Sequence, residues 1–190
     1  IRDARYSERP AALADLGLYL SLSAGPSWAE SEFLTSYLAN QRQVTMLSAF
    51  PYIVPSSVAG NVCRALLLTG HNVTLCGGPG AGLLGLGLAA AAIRSGHAGA
   101  ILSGAVDELT ERILADGVLA GEWGAASARA PGEGAAVFLL EERRHAERRG
   151  ARPLALLAGY ATSTEAPSGH DAGDEPGQLE GAVREALAES

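Results

Sequence analysis

Between Asn72 and Gly96 the chain runs from a short apolar segment (NVTLC) into Gly77-Gly78-Pro79-Gly80-Ala81-Gly82, then into an almost wholly apolar stretch from Leu83 to Ile93. The first segment has strand composition, and the glycine-dense hexapeptide is a sharp turn. The third is too long for an ordinary strand and ends at a glycine, so it reads as a helix. Being apolar on every side, it is expected to be buried on every side. Strand, tight turn and buried helix form one α/β unit, because such a helix must lie on a sheet. Two chemistries use this geometry: a nucleophile elbow, and a backbone cradle for phosphate at a helix N-terminus.

The flanking sequence extends the alternation. Leu16–Ser23 reads as a strand. Ser27 and Glu30 have capping-box spacing at the start of a helix that carries Phe33, Leu34, Tyr37 and Leu38 on one face and stops at Asn40. Pro51 and Pro55 punctuate the short apolar segment Phe50–Val54, and Ser56 or Ser57 opens a helix to about Leu68. Ala100–Ser103 reads as a buried strand that closes in a turn over Gly104–Asp107, with a helix over Glu108–Ala115. Gly117–Gly132 is a small-residue loop. Strands are expected at Ala135–Leu140 and Pro153–Ala161, with a charged helix over Glu141–Arg149 between them. A polar loop, Thr162–Gly177, leads to an amphipathic helix, Leu179–Ala188. The fold class is therefore α/β, with 1–161 as the main domain and 162–190 as a polar loop and terminal helix.

Charge and cysteine content narrow the function. The net charge is −7 and all 14 basic residues are arginine, so the chain lacks the positive field that nucleic-acid binding needs. No apolar run reaches the length of a membrane span. Cys63 and Cys76 suit a reduced, cytoplasmic setting and build neither a disulfide framework nor a metal site. The first residue is Ile1, which leaves the natural N-terminus open. Gly80-Ala81-Gly82-Leu83-Leu84-Gly85 also matches the dinucleotide fingerprint, with Asp107 placed as a ribose-binding acid. A nucleotide-binding domain therefore stands as one alternative.

Five motifs in order resemble the N-terminal half of β-ketoacyl synthases. They are Pro55-Ser56-Ser57-Val58-Ala59-Gly60-Asn61; Gly70-His71-Asn72 leading into Val73–Cys76; the long helix Leu83–Gly96; Ser103-Gly104-Ala105-Val106-Asp107; and Gly132-Glu133-Gly134-Ala135. The resemblance covers roughly Leu16 to Ala161. It implies a thiolase-like fold, truncated to roughly the N-terminal half of a ketoacyl synthase.

The departures from the family matter most. Counting back from Gly96 and Gly82 puts Pro79 at the position of the family's catalytic cysteine, and proline offers no nucleophile. Cys76 lies three residues earlier and reads as a small buried thiol; an acyltransferase or condensing enzyme using Cys76 is the second alternative. The resemblance also implies two histidines from the family's C-terminal half. His71, His97, His145 and His170 match neither and read as surface residues, and the 190 residues stop short of those motifs.

A synthase-like chain without its nucleophile resembles the chain-length factors of type II, highly reducing or polyene-type polyketide systems, which pair with an active ketoacyl synthase. That resemblance makes Asn72, Val73, Thr74, Leu75 and Cys76 the dimer strand. It makes the segment Met46–Ser57 the end wall of the partner's acyl tunnel, with Phe50, Ile53, Val54 and Ser57 as candidate gate residues. Arg143, Arg144, Arg148, Arg149 and Arg152 form a basic cluster suited to docking an acidic acyl carrier protein, or a solvated helix face. No cofactor of the chain's own is expected, because the acyl chain would ride on the phosphopantetheine of the carrier protein.

Overall fold

A computed structural model describes residues 15–41, 48–121, 123, 130–163 and 177–188. Its contacts divide the chain into two compact units, Ile1–Glu141 and Glu142–Ser190, each described by itself below.

In the first unit the elements follow in the order β1 (Gly17–Leu22), α1 (Ser27–Ala39), a 3-10 turn (Phe50–Tyr52), α2 (Ser56–Leu66), β2 (Asn72–Cys76), a 3-10 turn (Gly78–Gly80), α3 (Ala81–Arg94), β3 (Ala100–Asp107), α4 (Glu111–Leu119) and β4 (Gly134–Glu141). The four strands form one sheet in the order β2-β1-β3-β4. β1 is parallel to both neighbours, with Leu20 opposite Thr74 on one side and Gly104 on the other, and β4 runs antiparallel to β3.

Every residue of β1 is buried, because the strand is central and both its faces are covered. Leu18 and Leu20 join Ala100 and Leu102 on the face that receives Ala59, Val58 and Val62 of α2. Tyr19 and Ile101 point the other way, toward Leu88, Ala89, Ala92 and Ile93 of α3. The period-2 alternation of β1 and β3 thus feeds two helical layers, and each fully buried Leu or Ile contributes about 1.5–3 kcal/mol.

α3 approaches the sheet closely because of its glycines. A Cβ at Gly85 would sit 2.6 Å from Ser21 Oγ, and one at Gly82 would sit 3.1 Å from the Ala105 Cβ. Contrary to the sequence expectation, α3 is buried on one side only. Ala81, Gly85, Gly87 and Ala89 are covered, while Leu83 is 76% exposed. Apolar periodicity marks which residues lie on a helix face, not how many neighbours cover it.

Two further expectations change. The turn expected at Gly104–Asp107 is the second half of β3, drawn into an eight-residue strand by its ladder with β4. The capping box does not form: Ser27 is already inside α1, behind an N-cap at Pro26, and its hydroxyl is used elsewhere. The NVTLC strand forms at the edge of the sheet, with Asn72 and Cys76 exposed.

The second unit holds α5 (Arg143–Arg148), anchored by buried Ala146 and ended by Gly150 at φ +72°, and α6 (Gly177–Ala188), with an Arg184–Glu180 pair at 2.6 Å. Pro153–Ala161 makes no strand, and Leu154, Leu156 and Leu157 are exposed. Strand composition there is not enough to make a strand without a ladder beside it. No helix among them is long and apolar enough to cross a membrane.

Candidate functional site

The elbow between β2 and α3 is tied to the neighbouring strand. The Gly77 N–H donates to the Leu22 carbonyl at 3.4 Å and the Gly78 N–H to the Ser23 carbonyl at 3.3 Å. Gly78 sits at φ +72°, a backbone state that glycine takes without a Cβ penalty. Pro79 is exposed in the 3-10 turn that leads directly into α3. At the mouth of the elbow stands a side chain with no ionisable or nucleophilic atom.

Cys76 is exposed at the end of β2, which corrects its reading as a buried thiol. Edge position explains this, since Cys76 pairs with Leu22 of β1 on one side and no further strand follows on the other among the described residues. Its sulfur lies 3.9 Å from where a Cβ on Gly25 would stand, and the Pro55 ring lies 3.7 Å from the same point. The ends of β1 and β2 therefore meet the start of α2. Cys63, by contrast, is half-buried. Its sulfur accepts from Asn72 Nδ2 at 3.2 Å, and burial pushes its thiol pKa up, so it is the less reactive of the two.

Asp107 does not stand on the strand next to the one that leads into the glycine turn. β1 separates β2 from β3, and both Asp107 carboxylate oxygens are used on Ser23: Oδ1 accepts from the backbone N–H at 2.7 Å and Oδ2 from the hydroxyl. The dinucleotide arrangement, with an acid on the strand adjacent to the fingerprint, is not formed. Gly82 and Gly85 instead serve helix-sheet packing.

Sequence inspection missed the polar cluster around Asp107. Glu108 Oε1 accepts from the Trp28 N–H at 2.8 Å and from Ser27 Oγ at 3.2 Å, so it supplies the carboxylate at the N-terminus of α1. Thr110 Oγ1 bonds Ser27 Oγ at 2.9 Å and caps α4 by accepting from the Ile113 N–H at 3.3 Å. Glu133 Oε2 accepts from the Leu109 N–H at 3.2 Å. These partners lie up to 84 residues apart, and only the adjacent Asp-Glu pair hinted at them.

Phe50, Ile53 and Val54 lie on a tightly closed surface turn. Tyr52 N–H donates to the Ala49 carbonyl at 2.9 Å and Ile53 N–H to the Phe50 carbonyl at 3.4 Å. Phe50 is 55% exposed, Tyr52 and Val54 are exposed, and Ile53 is half-buried. Ser57 belongs to α2, and its hydroxyl donates to the Tyr52 carbonyl at 3.2 Å, which pins the turn to the helix. Met46 lies outside the described residues.

In the second unit Arg143 pairs with Glu147 at 2.9 Å, Arg144, Arg148 and Arg152 are exposed, and Arg149 is half-buried. At the end of the sheet opposite the elbow, Tyr19 Oη lies 3.1 Å from His71 Nδ1, and the His71 and His97 rings are 6.5 Å apart. Burial raises the Tyr19 phenol pKa, so it stays protonated. His71 and His97 are exposed and His145 is half-buried; His170 lies outside the described residues.

Comparison with known proteins places this geometry. Residues 1–146 match the family model for the beta-ketoacyl synthase N-terminal domain. A polyketide beta-ketoacyl synthase of Streptomyces virginiae is 35% identical over 132 residues, covering 62% of this chain and 31% of that protein. The structure called the ishigamide ketosynthase/chain length factor matches with a TM-score of 0.72 and 26% identity, over 93% of this chain and 47% of that one. A beta-ketoacyl synthase from Burkholderia phymatum STM815 matches at TM-score 0.73 and 22% identity, over 98% of this chain and 52% of that one. So does a chain of the structure described as a type II PKS acyl-carrier protein in complex with its ketosynthase bound to the hexaketide, at TM-score 0.73 and 21% identity, over 93% of this chain and 49% of that one. The last two show the fold alone. The chain thus spans about a third of its curated relative and about half of the solved chains.

Proposed function

The chain belongs to the β-ketoacyl synthase family and has the thiolase-like fold, of which it covers the N-terminal part; from that premise we propose that it is a non-catalytic, chain-length-factor-like subunit of a polyketide synthase. One observation carries the proposal. The residue that enters the elbow from β2 and leads into α3 is Pro79, which cannot form an acyl thioester.

Two features of the fold support a partner role. β2 is an edge strand, with one side of its backbone unpaired among the described residues, and such an edge favours strand addition. The Phe50–Val54 turn presents apolar side chains to the outside, where a partner's acyl tunnel would end. A bulky ring there occupies volume that a growing chain needs, so it limits chain length sterically. The exposed arginines of α5 and its exit supply positive charge for an acidic acyl carrier protein. The acyl chain itself stays on the carrier's phosphopantetheine.

The test is co-expression with an active ketoacyl synthase, followed by size-exclusion chromatography with mass determination. A 1:1 complex, with no acyl adduct on this chain after incubation with acyl-carrier substrate, is the expected result. Recovery of two species that ignore one another would refute the pairing.

The exposure of Cys76 favours a second reading, a thiol-dependent acyltransferase, and the two readings part on one experiment. In the non-catalytic reading Cys76 alkylates readily in the chain alone, well ahead of Cys63, and becomes protected when the synthase covers the β2 edge. An acyl group found on Cys76 by peptide mass spectrometry would transfer the assignment to the enzyme reading.

A further inference from the structure

The Phe50–Val54 turn is fixed in its backbone by the hydrogen bonds to Ala49, Phe50 and Tyr52 carbonyls, but those bonds leave the Phe50 ring to be placed by its neighbours. A row of rings reaches it from α1. Phe33 meets Phe50 with centroids 6.0 Å apart and planes tilted by 59°, and Tyr37, one helical turn on, stacks on Phe33 at 6.4 Å and 6°. The tilted geometry is one that aromatic pairs prefer, and it fixes direction as well as distance. α1 is a firm base for this row. Its N-terminus is held by Glu108 through the Trp28 N–H and the Ser27 hydroxyl, and Glu30 pairs with Arg112 of α4 at 3.6 Å.

We propose that Phe33 is a positioning residue for Phe50, so that the ring row of α1 sets how far Phe50 reaches from the surface and therefore which acyl-chain length the partner's tunnel admits. This rests on Phe50 acting as the gate. Phe33 touches no acyl chain; it acts through Phe50. Two consequences follow: loss of the Phe33 ring loosens length control without altering pairing, and it has no effect once Phe50 is gone.

The experiment compares product-length profiles by mass spectrometry in complexes of the full chain with a synthase and carrier protein. The variants are Phe33→Ala, Phe33→Leu, Phe33→Tyr, Phe50→Ala, and the Phe33→Ala/Phe50→Ala double. Phe50→Ala is expected to shift the main product upward by at least one extension unit. Phe33→Ala and Phe33→Leu should broaden the profile in the same direction at unchanged complex stoichiometry and total turnover. Phe33→Tyr, which keeps the ring, should restore the parental profile, and the double variant should match Phe50→Ala. If Phe33→Ala fails to pair, Phe33→Leu reads the same effect with less lost volume. A shift for Phe50→Ala with parental profiles for both Phe33 variants overturns the positioning role and leaves the gate standing. An additive double variant overturns it too, since Phe33 would then act independently. Parental profiles throughout, in intact complexes, overturn the gate itself.

Discussion

Thr74→Pro is expected to leave the chain folded while abolishing its pairing with a synthase. The ladder between β1 and β2 fixes which backbone groups of β2 are already used. The Leu18 N–H donates to the His71 carbonyl at 2.8 Å and the Gly77 N–H to the Leu22 carbonyl at 3.4 Å, so residues 71, 73, 75 and 77 face β1. Asn72, Thr74 and Cys76 lie between them and turn their N–H and C=O groups to the open edge, because amide direction alternates along a strand. Proline at 74 deletes one outward donor and projects a ring where an added strand would pass. Edge strands tolerate proline when its nitrogen faces away from the sheet. Each cross-edge hydrogen bond contributes about 1 kcal/mol net, and the ring also blocks close approach, so a loss of roughly hundredfold or more in affinity is expected. Leu75→Pro is the contrast. It removes an inward donor, breaks the β1–β2 ladder and should lower the melting temperature of the chain alone. Size-exclusion mass and a thermal melt of both variants decide the matter. A Thr74→Pro chain that still co-purifies at full yield would place the interface elsewhere.

Only the family resemblance, which makes Asn72–Cys76 the dimer strand, pointed to that edge; composition did not, and the reason is physical. NVTLC has the composition of a strand in any position of a sheet; whether one or both of its sides are paired depends on the strand order, which β1 settles by sitting between β2 and β3. The glycine turn was legible, and with it the place of Pro79 between strand and helix, because spacing along one strand-turn-helix unit is local. Side-chain partnerships were not. Asp107 reaches Ser23, and Glu108 reaches the start of α1, across 84 and 80 residues. The α3 stretch was read correctly as helix, but its coverage was overstated, since Leu83 lies bare while Ala89 is sealed. Phe50 could be singled out through the family resemblance; its contact with Phe33 could not, because α1 and the turn join only in the tertiary fold.

β3 shows the same limit, and it yields the largest expected stability effect. Gly104-Ala105 looks like a turn because small residues are common in turns, yet both lie with Ser103 in the ladder with β4. Their smallness answers crowding on both sides. Ala105 lies under Gly82 of α3, and Ser103 is fully buried beneath the same helix. At Gly104 a Cβ would fall well inside contact distance of the Ala136 carbonyl oxygen and 2.7 Å from Val137 Cα. Those are backbone atoms of the paired strand, so no rotamer change relieves the clash; β4 must move or unpair. Gly104→Ala is therefore expected at the upper end of overpacking costs, about 3 kcal/mol, which corresponds to a fall in melting temperature of roughly 6–12 °C for a chain of this size. Gly134→Ala, at the start of β4, is the matched control. A Cβ there meets nothing within 4 Å, so the melt should be unchanged or slightly raised. The consequence extends beyond stability. β3 ends in Asp107, which fastens the β1–α1 turn through Ser23, and Glu108 follows it at the head of α1. A displaced β3–β4 ladder would loosen the base from which Phe33 holds Phe50. Gly104→Ala in a complex that survives assembly should therefore also broaden product length. A melt equal to that of Gly134→Ala would show that β4 yields freely and would break that link between sheet and gate.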